Sequence, residues 1–366
     1  MLARLLSVAS AFPPHQADLR ISTEHAQQMS CRTPAEAGKI EKLYRRTGVE
    51  TRGSVLLEES TTGTLTQSFY APLSDDAHGP TTHARNERFA TEAPALAIQA
   101  AAATLTRGGC EAAQITHLIT VTCTGLRAPG FDIELITGLG LSKTTQRIQI
   151  GFMGCHALIN ALRVARGLVA AEPDACVLIV SVELCSLHYQ YGYNTQRIVS
   201  GSIFADGASA CLVVGETFLP KRETETIGTL AATGSCLIPD SREAMTWLIG
   251  DHGFEMTLDA SVPGLIESHL ADFLVDWLAE QGETVDSIGG WAVHPGGTRI
   301  LLAVQNAMNL PQQRLRISYD ILRRHGNMSS ATLGVVLEDF VQAAIPRPWL
   351  MLGFGPGLET EVSLIR

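Results

Sequence analysis

Three residues of this chain sit where side chains do chemistry. Cys155 stands in GFMGCHA, after Gly154 and at the start of an Ala- and Leu-rich run. The first turn of a helix offers unpaired backbone N–H groups and the positive end of a dipole, both of which favour a thiolate. A neighbouring glycine lets a bulky thioester approach the backbone closely. The alternative is a packed core cysteine, a common fate for this residue type. His294 stands in WAVHPGG, past an apolar run and before Pro295, Gly296 and Gly297. Proline disfavours the helical conformation in the residue before it, so the imidazole is set at the rim of a sheet. A structural histidine satisfied by backbone groups is the competing reading. Asn327 follows Gly326 in RRHGNMSSAT. It reads as a turn or cap residue, and its side-chain N–H groups also suit an oxyanion. Each of the three has a structural explanation when taken alone. Together, each on a corner between a strand and a helix, they form a coherent nucleophile, imidazole and amide set.

The elements that must position them follow a repeating pattern of β-branched strand, Gly-rich corner and Ala-rich amphipathic helix. LAIQAAAATL (96–105) reads as a helix and HLITVTCTG (117–125) as a strand and corner. RIQIGFMGC (147–155) reads as a strand, and HALINALRVARGLVA (156–170) as a helix beginning at the cysteine. ACVLIVSVEL (175–184) and ASACLVVG (208–215) are continuous apolar strands, the pattern of strands buried on both faces. The polar stretch KRETETIG (221–228) is expected at the surface where two halves meet. Beyond it VPGLIESHLADFLVDWLAEQG (262–282) and RILLAVQNAMNL (299–310) read as helices around the strand and corner IGGWAVHPGG (288–297). SSATLGVVLEDFVQAA (329–344) reads as a helix, and PWLMLGFGPGLETEVSLIR as closing strands. A strand ending in CTG about thirty residues before Cys155 is echoed by one ending in HPGG before Asn327, which suggests a duplicated α/β core. Site residues would then gather at the carboxyl ends of strands from both halves.

Of the 366 residues, 45% are hydrophobic and 17% charged, which suits a large core of parallel strands covered by helices. A net charge of −10 argues against a nucleic-acid partner, so any anionic substrate must be held by a local basic cluster. The eight cysteines contain no CxxC pair and no zinc-like spacing with histidine. Most lie in apolar runs, as reduced cysteines of a cytoplasmic protein do, and no metal is expected. The opening MLARLLSVASA has the early Arg, apolar stretch and small-residue end of a secretory signal. Its apolar stretch is short, and a strand entering the AFPPH turn is the preferred reading. No window approaches the roughly 18 apolar residues of a membrane span.

The order GFMGCHA, WAVHPGG, HGNMSSAT and terminal GFGPG (353–357) resembles the type III polyketide synthases, the chalcone and stilbene synthase-like enzymes. The resemblance covers nearly the whole chain. It implies a duplicated thiolase-like αβαβα core, with an N-terminal half over 1–220 carrying the cysteine and a C-terminal half over 221–366 carrying His and Asn. It also implies a homodimer. Cys155 would take a starter acyl group from acyl-CoA. His294 would help to keep its thiolate ionised and, with Asn327, hold malonyl-CoA during decarboxylation, with no metal or redox cofactor. Phe204 in SGSIFADG matches the family's aromatic gate, and the second gate position falls on Met256, where plant enzymes carry Phe. Cys123, Thr124, Cys185, His188, Trp247, Ser329 and Phe354 match cavity positions. Lys39, Lys42 and Arg46 repeat at i, i+3 and i+7, so they share one helix face. The resemblance places such a stripe near the CoA phosphates, with Gly296 and Gly297 beside the CoA, while a merely solvated charged face is the competing reading. Ala128 stands where plant enzymes insert Met across the dimer. With Cys185 and the GFMGCH corner, this looks more like bacterial alkylpyrone or alkylresorcinol synthases. The expected chemistry is a fatty acyl starter, two or three malonyl extensions, and closure to a pyrone or resorcinol. The rivals are a ketoacyl synthase III-like enzyme that condenses once using acyl carrier protein, a Cys-His-Asn hydrolase, and a non-catalytic acyl-binding protein.

Overall fold

The computed structural model describes residues 2–366. After β1 (Arg4–Ala11), the ladder of β2 (Gln16–Asp18) and β3 (Thr51–Gly53) brackets helices α1 (Leu19–Ser30) and α2 (Pro34–Arg46). A hairpin of β4 (Glu58–Glu59) and β5 (Leu65–Thr66) leads to α3 (Thr82–Arg107). The first half then runs β6 (His117–Thr122), α4 (Phe131–Leu139), β7 (Gln146–Gly151), α5 (Ala157–Ala171), β8 (Cys176–Leu184), α6 (Thr195–Ile203) and β9 (Asp206–Val214). The second half begins with β10 (Gly228–Leu237) and the hairpin of β11 (Met245–Gly250) and β12 (Gly253–Leu258). It continues with α7 (Val262–Glu280), β13 (Gly290–Val293), α8 (Thr298–Met308), α9 (Arg316–His325), α10 (Thr332–Gln342), β14 (Trp349–Gly355) and β15 (Glu359–Ile365).

Nine strands join in the order β13-β14-β15-β10-β1-β9-β8-β6-β7. The two sides of the β1–β10 seam repeat one pattern. β1 pairs antiparallel with β9, β9 antiparallel with β8, and β8 parallel with β6. Likewise β10 pairs antiparallel with β15, β15 antiparallel with β14, and β14 parallel with β13. The seam itself is thin, holding the register Arg4↔Thr229 and Leu5↔Gly228. Symmetry breaks at β7, whose place in the second half is taken by α9 and the loop to Asn327.

Alternation along the strands builds the layers, because successive side chains point to opposite faces. On β8, Ile179 packs into a core shared by Leu158 of α5 and Leu333 of α10, while Leu178 packs against Leu96 of α3 and Leu135 of α4. On β14, Met351 joins the same central core, while Leu350 faces Leu274 of α7 and Leu301 of α8. The order is therefore helix, sheet, helix, sheet, helix, the duplicated thiolase-like arrangement. All nine residues of β8 are buried, which is why its sequence is apolar apart from Ser181 and Glu183.

Two readings agree with the fold, and the starts of two helices needed adjustment. Residues Arg4–Ala11 form a central strand between β9 and β10, as the preferred reading of the opening had it. α5 begins at Ala157, two residues after the cysteine, and α10 at Thr332, after a 3-10 turn over Ser329–Ala331. The 221–228 stretch is a largely exposed link from β9 to β10. Among the described residues no helix is long and apolar enough to cross a membrane.

Candidate active site

The corner after β7 is bent by two residues with positive φ, Phe152 at 57° and Gly154 at 83°. A Cβ on Gly154 would lie 2.3 Å from Pro356 Cδ, so the elbow and the GFGPG loop demand glycine where they meet. Cys155 follows, buried. His156, the N-cap residue of α5, makes no side-chain capping bond, and the first turn is tied by its backbone, with Ala157 N donating to Gly154 O at 3.1 Å and Ile159 N to His156 O at 2.8 Å. Its Nδ1 instead meets Asn160 Oδ1 at 2.8 Å, and Asn160 Nδ2 donates to Glu361 at 2.8 Å, pinning the elbow to β15.

His294 leaves the end of β13 with its backbone N–H donated to Leu352 O at 2.7 Å. Asn327 is held by a bridge to the gate segment: its N–H donates to Ile203 O and its carbonyl accepts from Ala205 N, each at 2.9 Å. Its Oδ1 accepts from Ser329 N at 2.8 Å, which orients the amide and leaves its NH2 group for other partners. Cys155, His294 and Asn327 line one small cavity together with Gly296 and Phe354.

Burial dominates the electrostatics here. It pushes the Cys155 thiol up to about 12, against the opposing influence of Ser329 and Asn327. It pushes His294 down to about 3, with His156 adding to the fall and Asn327 opposing it. Among the described residues neither ring nitrogen of His294 has a hydrogen-bond partner. Burial thus opposes the thiolate that the helix turn and the histidine favour, and it favours the neutral imidazole. Two free ring nitrogens leave His294 able to take the thiol proton when a substrate brings the groups together.

That depressed histidine makes stability depend on pH. An unfolded histidine binds its proton near 6.5, so between about 6.5 and 3 the unfolded chain holds a proton that folded His294 does not. Stability contributed by the neutral ring is full above 6.5 and is lost as the pH falls through that window. His294→Gln should flatten the decline in unfolding free energy by up to about 1.4 kcal/mol per pH unit. Denaturant melts between pH 6 and pH 4 check this, and parallel profiles would contradict it.

A larger cavity of about 1270 Å³, counting its open mouth, extends from Cys155 beneath α1 and α2. Cys155, Phe204, Met245 and Met256 line both spaces, so the expected gate residues do stand at the junction. Cys123, Thr124, Cys185, His188, Trp247 and Ser329 all line the larger space. Several are braces as well as walls. His188 Nδ1 accepts from Phe254 N at 3.0 Å and its Nε2 meets Thr124 O at 2.8 Å, which fixes one neutral tautomer. Its ring stacks on Phe254 with centroids 4.2 Å apart, and burial drives its pKa down to about 3. Trp247 Nε1 donates to Cys123 O at 2.7 Å, and Cys123 Sγ accepts from Gly154 N at 3.2 Å.

Gly297 lines neither cavity and is the N-cap residue of α8. Lys39, Lys42 and Arg46 are exposed on α2, the helix whose Tyr44 reaches the larger cavity. Sequence reasoning missed Met245 and Phe254 on the β11–β12 hairpin, Arg52 after α2, and the buried Glu183. Glu183 accepts from Thr124 Oγ1 at 2.7 Å, from Cys123 N at 3.0 Å and from Ser330. Burial raises its pKa, and a single acid inside the apolar run VSVEL was the available signal.

Models of known families match both halves: chalcone and stilbene synthases, N-terminal domain, over residues 2–217, and the C-terminal domain over residues 229–366. A 1,3,6,8-tetrahydroxynaphthalene synthase of Streptomyces peucetius subsp. caesius is 32% identical over 98% of this chain and 92% of its own length. The alpha-pyrone synthesis polyketide synthase-like Pks18 of Mycobacterium tuberculosis is 30% identical over 90% of this chain and 83% of its own. Among solved structures, PKS-I from the brown alga Ectocarpus siliculosus superposes with a TM-score of 0.91 at 26% identity, covering 100% of this chain and 98% of that one.

Proposed function

Since the chain belongs to the chalcone and stilbene synthase family, and so is a type III polyketide synthase, we propose that it extends a fatty acyl-CoA starter with malonyl-CoA on Cys155. Cys155 Sγ attacks the starter thioester, its proton passes to His294, and His294 returns it to the departing CoA sulfur. Malonyl-CoA then sets its thioester oxygen against the N–H of His294 and the NH2 of Asn327. Two donors aimed at that oxygen stabilise the enolate formed as carbon dioxide leaves. The enolate carbon attacks the acyl thioester and Cys155 sulfur departs, leaving the extended chain as a CoA thioester, which Cys155 takes up again with release of CoA before the next round. Two or three rounds and closure give an alkylpyrone or alkylresorcinol-type product. No metal or redox cofactor enters this sequence of steps.

The observation that carries this reading is the pair of cavities joined at Cys155. The smaller holds His294 and Asn327, as a malonyl site must, and the larger runs past Leu56, Leu57 and Met29 with room for an aliphatic chain. The relative named for alpha-pyrone synthesis supports a pyrone as the product. Product mass spectrometry on the purified protein, given malonyl-CoA and a ladder of acyl-CoA starters, tests it. Masses of a long-chain starter plus several two-carbon units are expected. Preference for a short or aromatic starter would contradict the fatty acyl assignment.

The α2 stripe is the proposed site for CoA phosphates, supported by its three cations on an acidic protein and by its place beside the cavity. Lys42→Glu should raise KM for both CoA thioesters severalfold while kcat changes less, because the contact lies far from the reacting atoms. An unaffected KM would leave the stripe a solvated face. The proposed assembly is a homodimer, supported by the unpaired edge of β7, whose Ile148 and Ile150 are only partly covered. A monomeric mass in light scattering would contradict it. A cytoplasmic location is proposed on the eight free cysteines, and disulfides in protein isolated under thiol-blocking conditions would oppose it.

A further inference from the structure

The short strand β3 and the residue before it touch both chain exits that carry the site. Glu50 N donates to Arg323 O at 2.8 Å, and Thr51 Oγ1 donates to Arg324 O at 2.5 Å, so two carbonyls at the end of α9 are held just before Gly326 and Asn327. Arg52 Nη1 donates to Gly201 O and, at 3.3 Å, to Phe204 O, so the same segment holds the end of α6 where the gate begins. Arg52 Nε donates to Ser22 Oγ of α1 at 3.1 Å, and its guanidinium lies 5.4 Å from the centre of the Tyr44 ring of α2. A cation at the carboxyl end of a helix also meets the negative end of the dipole. Among the described residues Arg52 forms no ion pair with a carboxylate, so its hydrogen-bonding capacity goes to backbone carbonyls, a hydroxyl and the cavity it lines.

The two exits are themselves joined through the Phe204–Asn327 bridge. They approach so closely that a Cβ on Gly326 would stand 2.8 Å from Ile203 O and 3.5 Å from Arg52 Cβ. We propose that Arg52, with Thr51, is a positioning residue: it clamps the carboxyl ends of α6 and α9 together and so sets the amide of Asn327 and the ring of Phe204 relative to Cys155. The clamp lies six residues beyond Arg46, so it also links the cationic helix α2 to the amide that holds the enolate. This rests on the reading of Asn327 as the group serving decarboxylation. Arg52 touches no reacting atom. Its loss acts through Asn327, and displacement of an oxyanion donor by about 1 Å is enough for a large loss of rate.

The test is a cycle of variants read by malonyl-CoA decarboxylation. Arg52→Met in the otherwise native protein should lower kcat about tenfold or more with KM within about twofold. Arg52→Lys, which keeps charge but loses the planar fork, should fall between the two. In an Asn327→Ala background the same Arg52 change should cost less than about twofold, because the group it positions is gone. Thr51→Val, close to isosteric, repeats the cycle on the α9 exit should Arg52→Met not fold. An equal factor in both backgrounds, or a tenfold rise in KM with kcat kept, overturns the proposal alone. Undiminished decarboxylation by Asn327→Ala overturns the reading of Asn327 and the proposal with it.

Discussion

Cys155→Ala is expected to remove polyketide formation by about a thousandfold or more, while decarboxylation of malonyl-CoA continues. The two activities separate because they use different atoms. Condensation requires sulfur to carry the acyl chain, whereas decarboxylation requires donors on the malonyl thioester oxygen, and these belong to His294 and Asn327. Among the described residues Cys155 is the one cysteine lining the small cavity with His294 and Asn327. Cys123 accepts the Gly154 N–H, and burial raises its pKa well above that of an ordinary cysteine. Cys123 and Cys185 line the larger cavity and not the small one. Measured together, product formation and carbon dioxide release should diverge in this variant. Retention of product would remove Cys155 from its assigned place.

Asn327→Ala should slow decarboxylation by roughly a hundredfold or more, the usual loss for one donor of an oxyanion site. Its amide is prepared in advance, since the backbone bridge to the gate fixes the main chain and the Ser329 N–H holds Oδ1. The loss should fall on kcat, because the interaction strengthens as charge develops on oxygen. Removing the side chain also leaves the buried Ser329 N–H unpaired, at about 1–3 kcal/mol of stability. Unchanged decarboxylation kinetics in a variant that still folds would take Asn327 out of that step.

The parts of the fold that were legible are those fixed by local pattern. Strands β8 and β9 announce themselves as largely apolar runs because both faces are covered by helices. The duplication was visible as an echo of corners, since Cys155, His294 and Asn327 each sit where Gly or Pro must turn the chain. What was hidden depends on packing between distant segments. Local geometry at Cys155 favours a thiolate, whereas the depth of burial that opposes it is set by both halves at once. His188 gave no sign of its fixed tautomer, which needs Phe254 N from a hairpin 66 residues away. That hairpin lines the cavity with Met245, Trp247 and Met256 and has no place in the nine-stranded sheet. Arg52 drew no reading from the sequence, because its carbonyl partners lie 149 and 152 residues along the chain.

The most direct measurement is a trapped acyl-enzyme. The native protein would be mixed with a long-chain acyl-CoA, quenched in acid, digested and analysed by mass spectrometry, with and without a pulse of malonyl-CoA. The starter acyl group is expected on the peptide containing Cys155, and species longer by two-carbon ketide units on the same peptide after the pulse. An acyl group on Cys123 or Cys185 instead, or an enzyme that turns over with no acyl group on Cys155, would contradict condensation at this cysteine.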